Sequence, residues 1–121
     1  MIYDVDILRA KAESQAEDVL HFLKEAAIRN PEDFIQPQLA REIKSDEELR
    51  VCVDAAMHFY PEDYNKLARE ILSVAKELME VRPISPYKAI NYAIYTEEVE
   101  DTGYEIVKSK LLEAIKYCKS L

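Results

Sequence analysis

Apolar residues recur every three or four positions along almost the whole chain, which is the pattern of helices that bury one face. The first such segment is the longest and covers about residues 4–29. Its apolar stripe comprises Val5, Leu8, Ala12, Ala16, Val19, Leu23, Ala26 and Ala27. No segment alternates apolar and polar residues for long enough to predict a strand. The pattern therefore predicts an all-α protein.

Prolines that follow capping residues mark where further helices begin. Pro31 follows Asn30 and Pro86 follows Ser85, so a side chain that can cap precedes a residue favoured at the first helical position. Pro61, followed by two acids, marks another start. The predicted helices after the first cover about residues 46–60, 62–82, 86–100 and 104–119, with two short pieces between Pro31 and Lys44 on either side of Pro37.

Two local signals refine these boundaries. Ser45 with Glu48 three residues later predicts a capping box at the start of the 46–60 helix. Gly103, the only glycine, is expected to end or bend a helix. No linker separates the segments, so residues 1–121 are predicted to form one domain, a compact bundle of five to six helices with short loops.

The net charge disfavours partners that are themselves negatively charged. Sixteen basic residues face twenty-four acidic ones, for a net charge of −8. An acidic chain repels phosphates and anionic membrane surfaces, so we expect no nucleic-acid partner and no membrane partner. No apolar run approaches the roughly 20 residues of a membrane span. One glycine cannot form a phosphate-binding loop, and the many glutamates are typical of thermophilic proteins.

The two cysteines, Cys52 and Cys118, carry no metal or redox motif, because no CxxC spacing occurs. Both fall on or beside apolar helical stripes, where a free thiol behaves as a small apolar side chain. Asp4 and Asp6 near the start are not typical of a secretory signal. We therefore expect separate, reduced thiols in a cytoplasmic protein.

Each histidine follows an acid by four residues: Glu17 precedes His21, and Asp54 precedes His58. Acid and histidine pairs on two helices are how carboxylate-bridged metal centres are built in bundles. However, the helical phase places both histidines opposite the apolar stripes, which favours exposed acid–histidine contacts. A helical metal-carboxylate protein is the alternative interpretation.

Four carboxylates form a second candidate site. Glu77 and Glu80 make an ExxE motif, and Glu98 and Asp101 make an ExxD motif further along the chain. This spacing resembles that of the MazG-like all-α nucleoside triphosphate pyrophosphatases, over about 25 of 121 residues. The resemblance implies a Mg²⁺-dependent enzyme with these four residues as metal ligands. The phase of Glu80 instead favours a solvated acidic surface.

Some apolar residues lie away from the main stripes. Val51, Ala55 and Phe59 make a second row on the 46–60 helix, roughly 120° from the first, and Tyr92 and Tyr95 add aromatic surface. Such a helix is either central in the bundle or covered by a partner. We expect a non-enzymatic assembly or interaction module without a cofactor, most simply a homodimer, with these five residues at its interface. Another protein partner and the Mg²⁺-dependent pyrophosphatase are the alternatives.

Overall fold

The computed structural model describes residues 4–121 as six α-helices and one 3-10 turn, with no strand in that range. The helices are α1 (Val5–Arg29), α2 (Pro37–Ser45), α3 (Glu47–Ala56), α4 (Pro61–Val81), α5 (Pro86–Ala93) and α6 (Glu97–Lys119), and the 3-10 turn is Pro31–Asp33. The predicted all-α bundle of five to six helices is confirmed. Within residues 4–121, none of the helices has the length and apolar character needed to cross a bilayer.

Three long helices, α1, α4 and α6, pack against one another and form the centre of the bundle. Helix α5 packs on α4 and α1, whereas α3 packs on α6 and α2. Leu20, Leu67 and Leu111 are fully buried, and each contributes roughly 1.5–3 kcal/mol through the apolar surface it removes from water. Leu20 was missing from the predicted α1 stripe, whose first member, Val5, is 64% exposed. Ala12, Ala16 and Ala27 of the predicted stripe are fully buried, so the buried face of α1 is largely the predicted one.

The caps explain where α3 begins. The Asp46 side chain accepts a hydrogen bond from the Leu49 backbone N–H at 3.1 Å and so caps this helix. Ser45 is the last residue of α2, and its hydroxyl donates to the Glu42 carbonyl oxygen at 3.4 Å. The predicted capping box of Ser45 and Glu48 is therefore wrong, because the capping residue is Asp46, one position later.

The helix predicted over residues 86–100 is interrupted between α5 and α6. The Thr96 hydroxyl donates to the Ala93 carbonyl oxygen at 2.6 Å, and Thr96 has an extended backbone. Glu97, Glu98 and Glu100 follow in the first turn of α6, where negative charge interacts favourably with the helix dipole. The predicted division into 86–100 and 104–119 is thus wrong, because a helix starts at Glu97 and runs unbroken to Lys119.

Gly103 lies buried inside α6 instead of ending a helix. A Cβ atom at this position would lie 2.9 Å from Leu23 Cδ1 and 3.4 Å from Val19 Cγ1 of α1. Its backbone is not in the left-handed region. The glycine therefore lets α6 approach α1 without displacing the Leu23 side chain, at a cost of about 1 kcal/mol in helix propensity.

Replacing Gly103 by Val is expected to lower the free energy of unfolding by about 1–3 kcal/mol, because two methyl groups would overpack the contact with Leu23 and Val19. Urea denaturation measures this change. Ser109→Val, at an exposed position of α6, is the matched control and should cost less than about 0.7 kcal/mol. A Gly103→Val variant as stable as wild type, or more stable, would show that helix propensity, which favours Val over Gly, outweighs packing at this position.

Candidate interaction surface on helices α3 and α6

Cys52 of α3 and Cys118 of α6 form a disulfide, with a Cα–Cα distance of 6.0 Å and a sequence separation of 66. The expected pair of separate thiols is therefore wrong. The local pattern at each cysteine, which sits beside an apolar stripe, is the same whether the thiol is free or paired. Only the packing of α3 on α6 brings the two side chains together. The bond ties α3 to the last turn of α6.

Exposed apolar side chains lie on α3, before α4 and at the end of α6. Val51 of α3 is 59% exposed, Tyr117 of α6 is 58% exposed, and Leu121 just after α6 is 81% exposed. Tyr60, before α4, is 57% exposed, and Ala55 lies exposed one turn after Val51. We call the surface formed by Val51, Ala55, Tyr60, Tyr117 and Leu121 the α3–α6 face.

Three shallow grooves lie on the α3–α6 face. The largest, about 630 Å³, is lined by both cysteines and Leu121, and a groove of about 460 Å³ is lined by Cys52 and Val51. A third groove, of about 340 Å³, contains Tyr60 and Tyr117. Because Cys52 lines the first two grooves and is bonded to Cys118, the disulfide lies where these two grooves adjoin.

A half-buried ion pair fixes Tyr60 on this face. The Lys110 Nζ lies 3.3 Å from Asp63 Oδ2, 3.8 Å from Glu113 Oε2 and 4.4 Å from the centre of the Tyr60 ring. Asp63 Oδ2 also accepts a hydrogen bond from the Tyr60 backbone N–H at 2.8 Å. This network joins the start of α4 to α6. The acids after Pro61 indicated the start of α4, but no pattern in the sequence indicated that Lys110 would pair with Asp63.

The predicted row of Val51, Ala55 and Phe59 does not exist as such. Helix α3 ends at Ala56, four residues before the predicted end, so Phe59 leaves the helical phase of the other two. Its ring lies 5.9 Å from both the His21 and the Tyr64 rings, half-buried between α1 and α4. Val51 and Ala55 keep the outward positions that the sequence predicted, whereas the assignment of Phe59 to their row is wrong.

The other two interface candidates lie elsewhere on the molecule. Tyr92 is 48% exposed on α5, and Tyr95 is 83% exposed in the turn that follows. Helix α5 packs on α4 and α1, and its Asn91 side chain accepts a hydrogen bond from Gln15 of α1 at 3.2 Å. The structure therefore does not join these tyrosines to the α3–α6 face.

The two predicted acid–histidine pairs have different outcomes. His21 lies 4.0 Å from Glu17, with half of its side chain exposed, and its Nε2 lies 3.5 Å from the Tyr64 hydroxyl. His58 lies beyond the end of α3, and Asp54 is instead 4.0 Å from Lys24 of α1. The helical pairing predicted for Asp54 and His58 is therefore wrong.

The four carboxylates of the proposed Mg²⁺ site lie exposed on two helices. Glu77 and Glu80 belong to α4, and Glu98 and Asp101 belong to the first turns of α6. The break before α6 removes the continuous helix that would have placed Glu98 and Asp101 beside Ile90 and Ile94. Within residues 4–121, no three His, Cys, Asp or Glu side chains are grouped so that they could hold a metal ion. The structure thus gathers neither this quartet nor the histidine pair into a metal centre.

Comparison with known proteins finds no matching family model, no similar curated protein and no similar solved structure.

Removing the disulfide by substituting both Cys52 and Cys118 with Ser is expected to lower the free energy of unfolding by about 2–4 kcal/mol. The reason is that the bond restricts the unfolded chain over a 66-residue separation. Denaturant unfolding under oxidising conditions measures the loss. Wild-type protein treated with a reductant is the control and should fall to the stability of the variant. A double variant as stable as the oxidised wild type would contradict this role.

Burial raises the pKa of the Tyr64 phenol above its ordinary value of 10.0, and the negative charges of Glu17 and Asp63 raise it further. The stability contributed by this neutral phenol is present below pH 10.0 and is lost as the pH rises through the pKa of the folded state. Tyr64→Phe should therefore lose less stability than wild type under alkaline conditions, measured by urea unfolding across a pH series. Tyr95→Phe, at an exposed tyrosine, is the matched control. An identical alkaline slope for Tyr64→Phe and wild type would contradict the shift.

Proposed function

We propose that the protein is a non-enzymatic interaction module that self-associates as a homodimer through the α3–α6 face. The observation that carries this proposal is the exposure of Val51 and Leu121 beside the disulfide, together with Tyr60 and Tyr117 in a separate groove; each of the four is more than half exposed. Contiguous exposed apolar surface marks interaction sites, and tyrosine is enriched in them. A second copy of the chain offers a surface of the same composition.

The rigidity of this face favours association. The disulfide holds α3 on α6, and the pair of Lys110 and Asp63 holds Tyr60 beside them. Side chains that are already fixed lose less conformational entropy when a partner covers them. A preformed apolar surface of this kind therefore binds at a lower entropic cost than flexible loops would.

Symmetry and charge set the form of the dimer. In a two-fold dimer the same patch meets its own copy, so Val51 of one protomer is placed close to the partner's α3. Glu47 and Glu48 lie at the edge of this patch, and the chain carries a net charge of −8. Apolar burial in the centre has to exceed this repulsion, so an added charge at the centre is expected to prevent association.

Light scattering after size exclusion tests the proposal with Val51→Glu. Wild type is expected to show the dimer mass, and Val51→Glu the monomer mass, because the substitution buries two further carboxylates beside Glu47 and Glu48. Val81→Glu is the matched control: Val81 is 75% exposed at the end of α4, so this variant should remain dimeric. Circular dichroism establishes that both variants stay folded.

A wild type that is monomeric at every concentration would contradict the homodimer. A dimer whose mass survives Val51→Glu but is lost in Tyr95→Glu would move the interface to α5 and the turn after it.

A further inference from the structure

We propose that the disulfide of Cys52 and Cys118 is an exchange site that reacts with neutral and cationic thiols in preference to anionic ones. Reduction would release α3 from the last turn of α6 and so alter the face on which the proposed dimer depends. The inference rests on three observations: the access to the sulfurs, the charge around them and the position of the bond in the fold.

Access to the bond is open on two sides. Cys52 lines the groove of about 630 Å³ and also the groove of about 460 Å³, and both cysteines are only partly buried. An attacking thiolate must reach one sulfur, and its rate depends on this access. The grooves lead a small thiol to Cys52, whereas Cys118 borders only the larger groove. Cys52 is therefore the sulfur that is attacked.

The charge around these grooves is strongly negative. Their walls carry Glu42, Asp46, Glu47 and Glu48, and the only basic side chain among the lining residues is Lys119. Lys119 is paired with Glu42, so its charge is already neutralised. Glu47 lies 3.9 Å from Arg50, so the net negative charge beside Cys52 comes from Asp46 and Glu48. These carboxylates repel an anionic thiol and attract a cationic one, because like charges raise the free energy of the encounter.

The reaction is a two-electron exchange with a dithiol or with two molecules of a monothiol. The thiolate attacks Cys52 Sγ, the bond between the two sulfurs breaks, and Cys118 leaves as a thiolate that takes up a proton. A second thiolate of the reductant then attacks the mixed disulfide at the reductant's own sulfur. Cys52 leaves as a thiol after protonation, the two cysteines are reduced, and the reductant becomes a disulfide.

Because of the position of the bond, its reduction is expected to change how the end of α6 is held. Cys118 lies in the last turn of α6, one residue before the helix ends, and Leu121 of the α3–α6 face follows it. Without the bond, the end of α6 is held to the α2–α3 region by the pair of Lys119 and Glu42 and by apolar packing. Reduction should therefore loosen this end before any other part of the bundle.

Exchange rates with cysteamine, a cation, and mercaptoacetate, an anion, test the proposal. Each rate is divided by that thiol's rate with bis(2-hydroxyethyl) disulfide, a neutral reference, which removes differences in intrinsic thiol reactivity. Mass spectrometry after alkylation counts the reduced cysteines. The protein is kept at a concentration where light scattering gives the monomer mass. The expected normalised ratio is roughly tenfold in favour of cysteamine at low salt, and it should approach one at high salt.

Two variants localise the effect. Glu48→Gln should lower the ratio, because Glu48 lines both grooves beside Cys52. Glu100→Gln, in the first turn of α6, is the matched control and should leave the ratio unchanged. A ratio near one at low salt, or reduction only under conditions that unfold the chain, would overturn the proposal.

A second series at a concentration that gives the dimer mass separates this inference from the proposed function. Slower exchange in the dimer is expected, because the second copy would cover Cys52. Equal rates in monomer and dimer would contradict the α3–α6 face as the interface. The ratio measured on the monomer would still decide whether the bond exchanges as proposed.

Discussion

The close approach of α6 to α1 at Gly103 is the contact on which the arrangement of the other elements depends. A Cβ atom there would lie 2.9 Å from Leu23 Cδ1, so a larger residue would have to displace the end of the Leu23 side chain. Because α6 runs unbroken through this point, its first half packs with α1 and α4 while its second half reaches α3. The position of Cys118, and with it the disulfide and the α3–α6 face, follows from that path.

The α3–α6 face combines features that are seldom found together on a free surface. It is held by a covalent bond and by the half-buried pair of Lys110 and Asp63, yet it exposes Tyr117 and Leu121 to water. The bond contributes to the stability of the fold, and by holding apolar side chains in place it also reduces the entropic cost of binding. If the proposed dimer and the proposed thiol exchange both hold, binding and redox state act on the same surface.

Helices α1 and α4 were predictable because their apolar periodicity reports a buried face directly, and Pro61 marked the start of α4 as Pro86 marked that of α5. The break at Thr96 was missed because no proline or glycine marks it. A polar residue followed by three acids in four positions was the available signal. Gly103 was misread because local propensity favours a helix end, whereas here the glycine allows close packing against α1. The disulfide and the position of Phe59 depend on contacts between distant segments, which periodicity within one helix cannot report.

Self-association through the α3–α6 face is the central claim, and a dilution series of ¹H–¹⁵N amide spectra tests it most directly. Each amide reports its own surroundings, so the interface is mapped without any substitution. We expect concentration-dependent shifts in Glu47–Ala56 and in the last turns of α6, with α5 unaffected. Spectra that do not change with concentration, or shifts centred on Tyr92 and Tyr95, would contradict the claim.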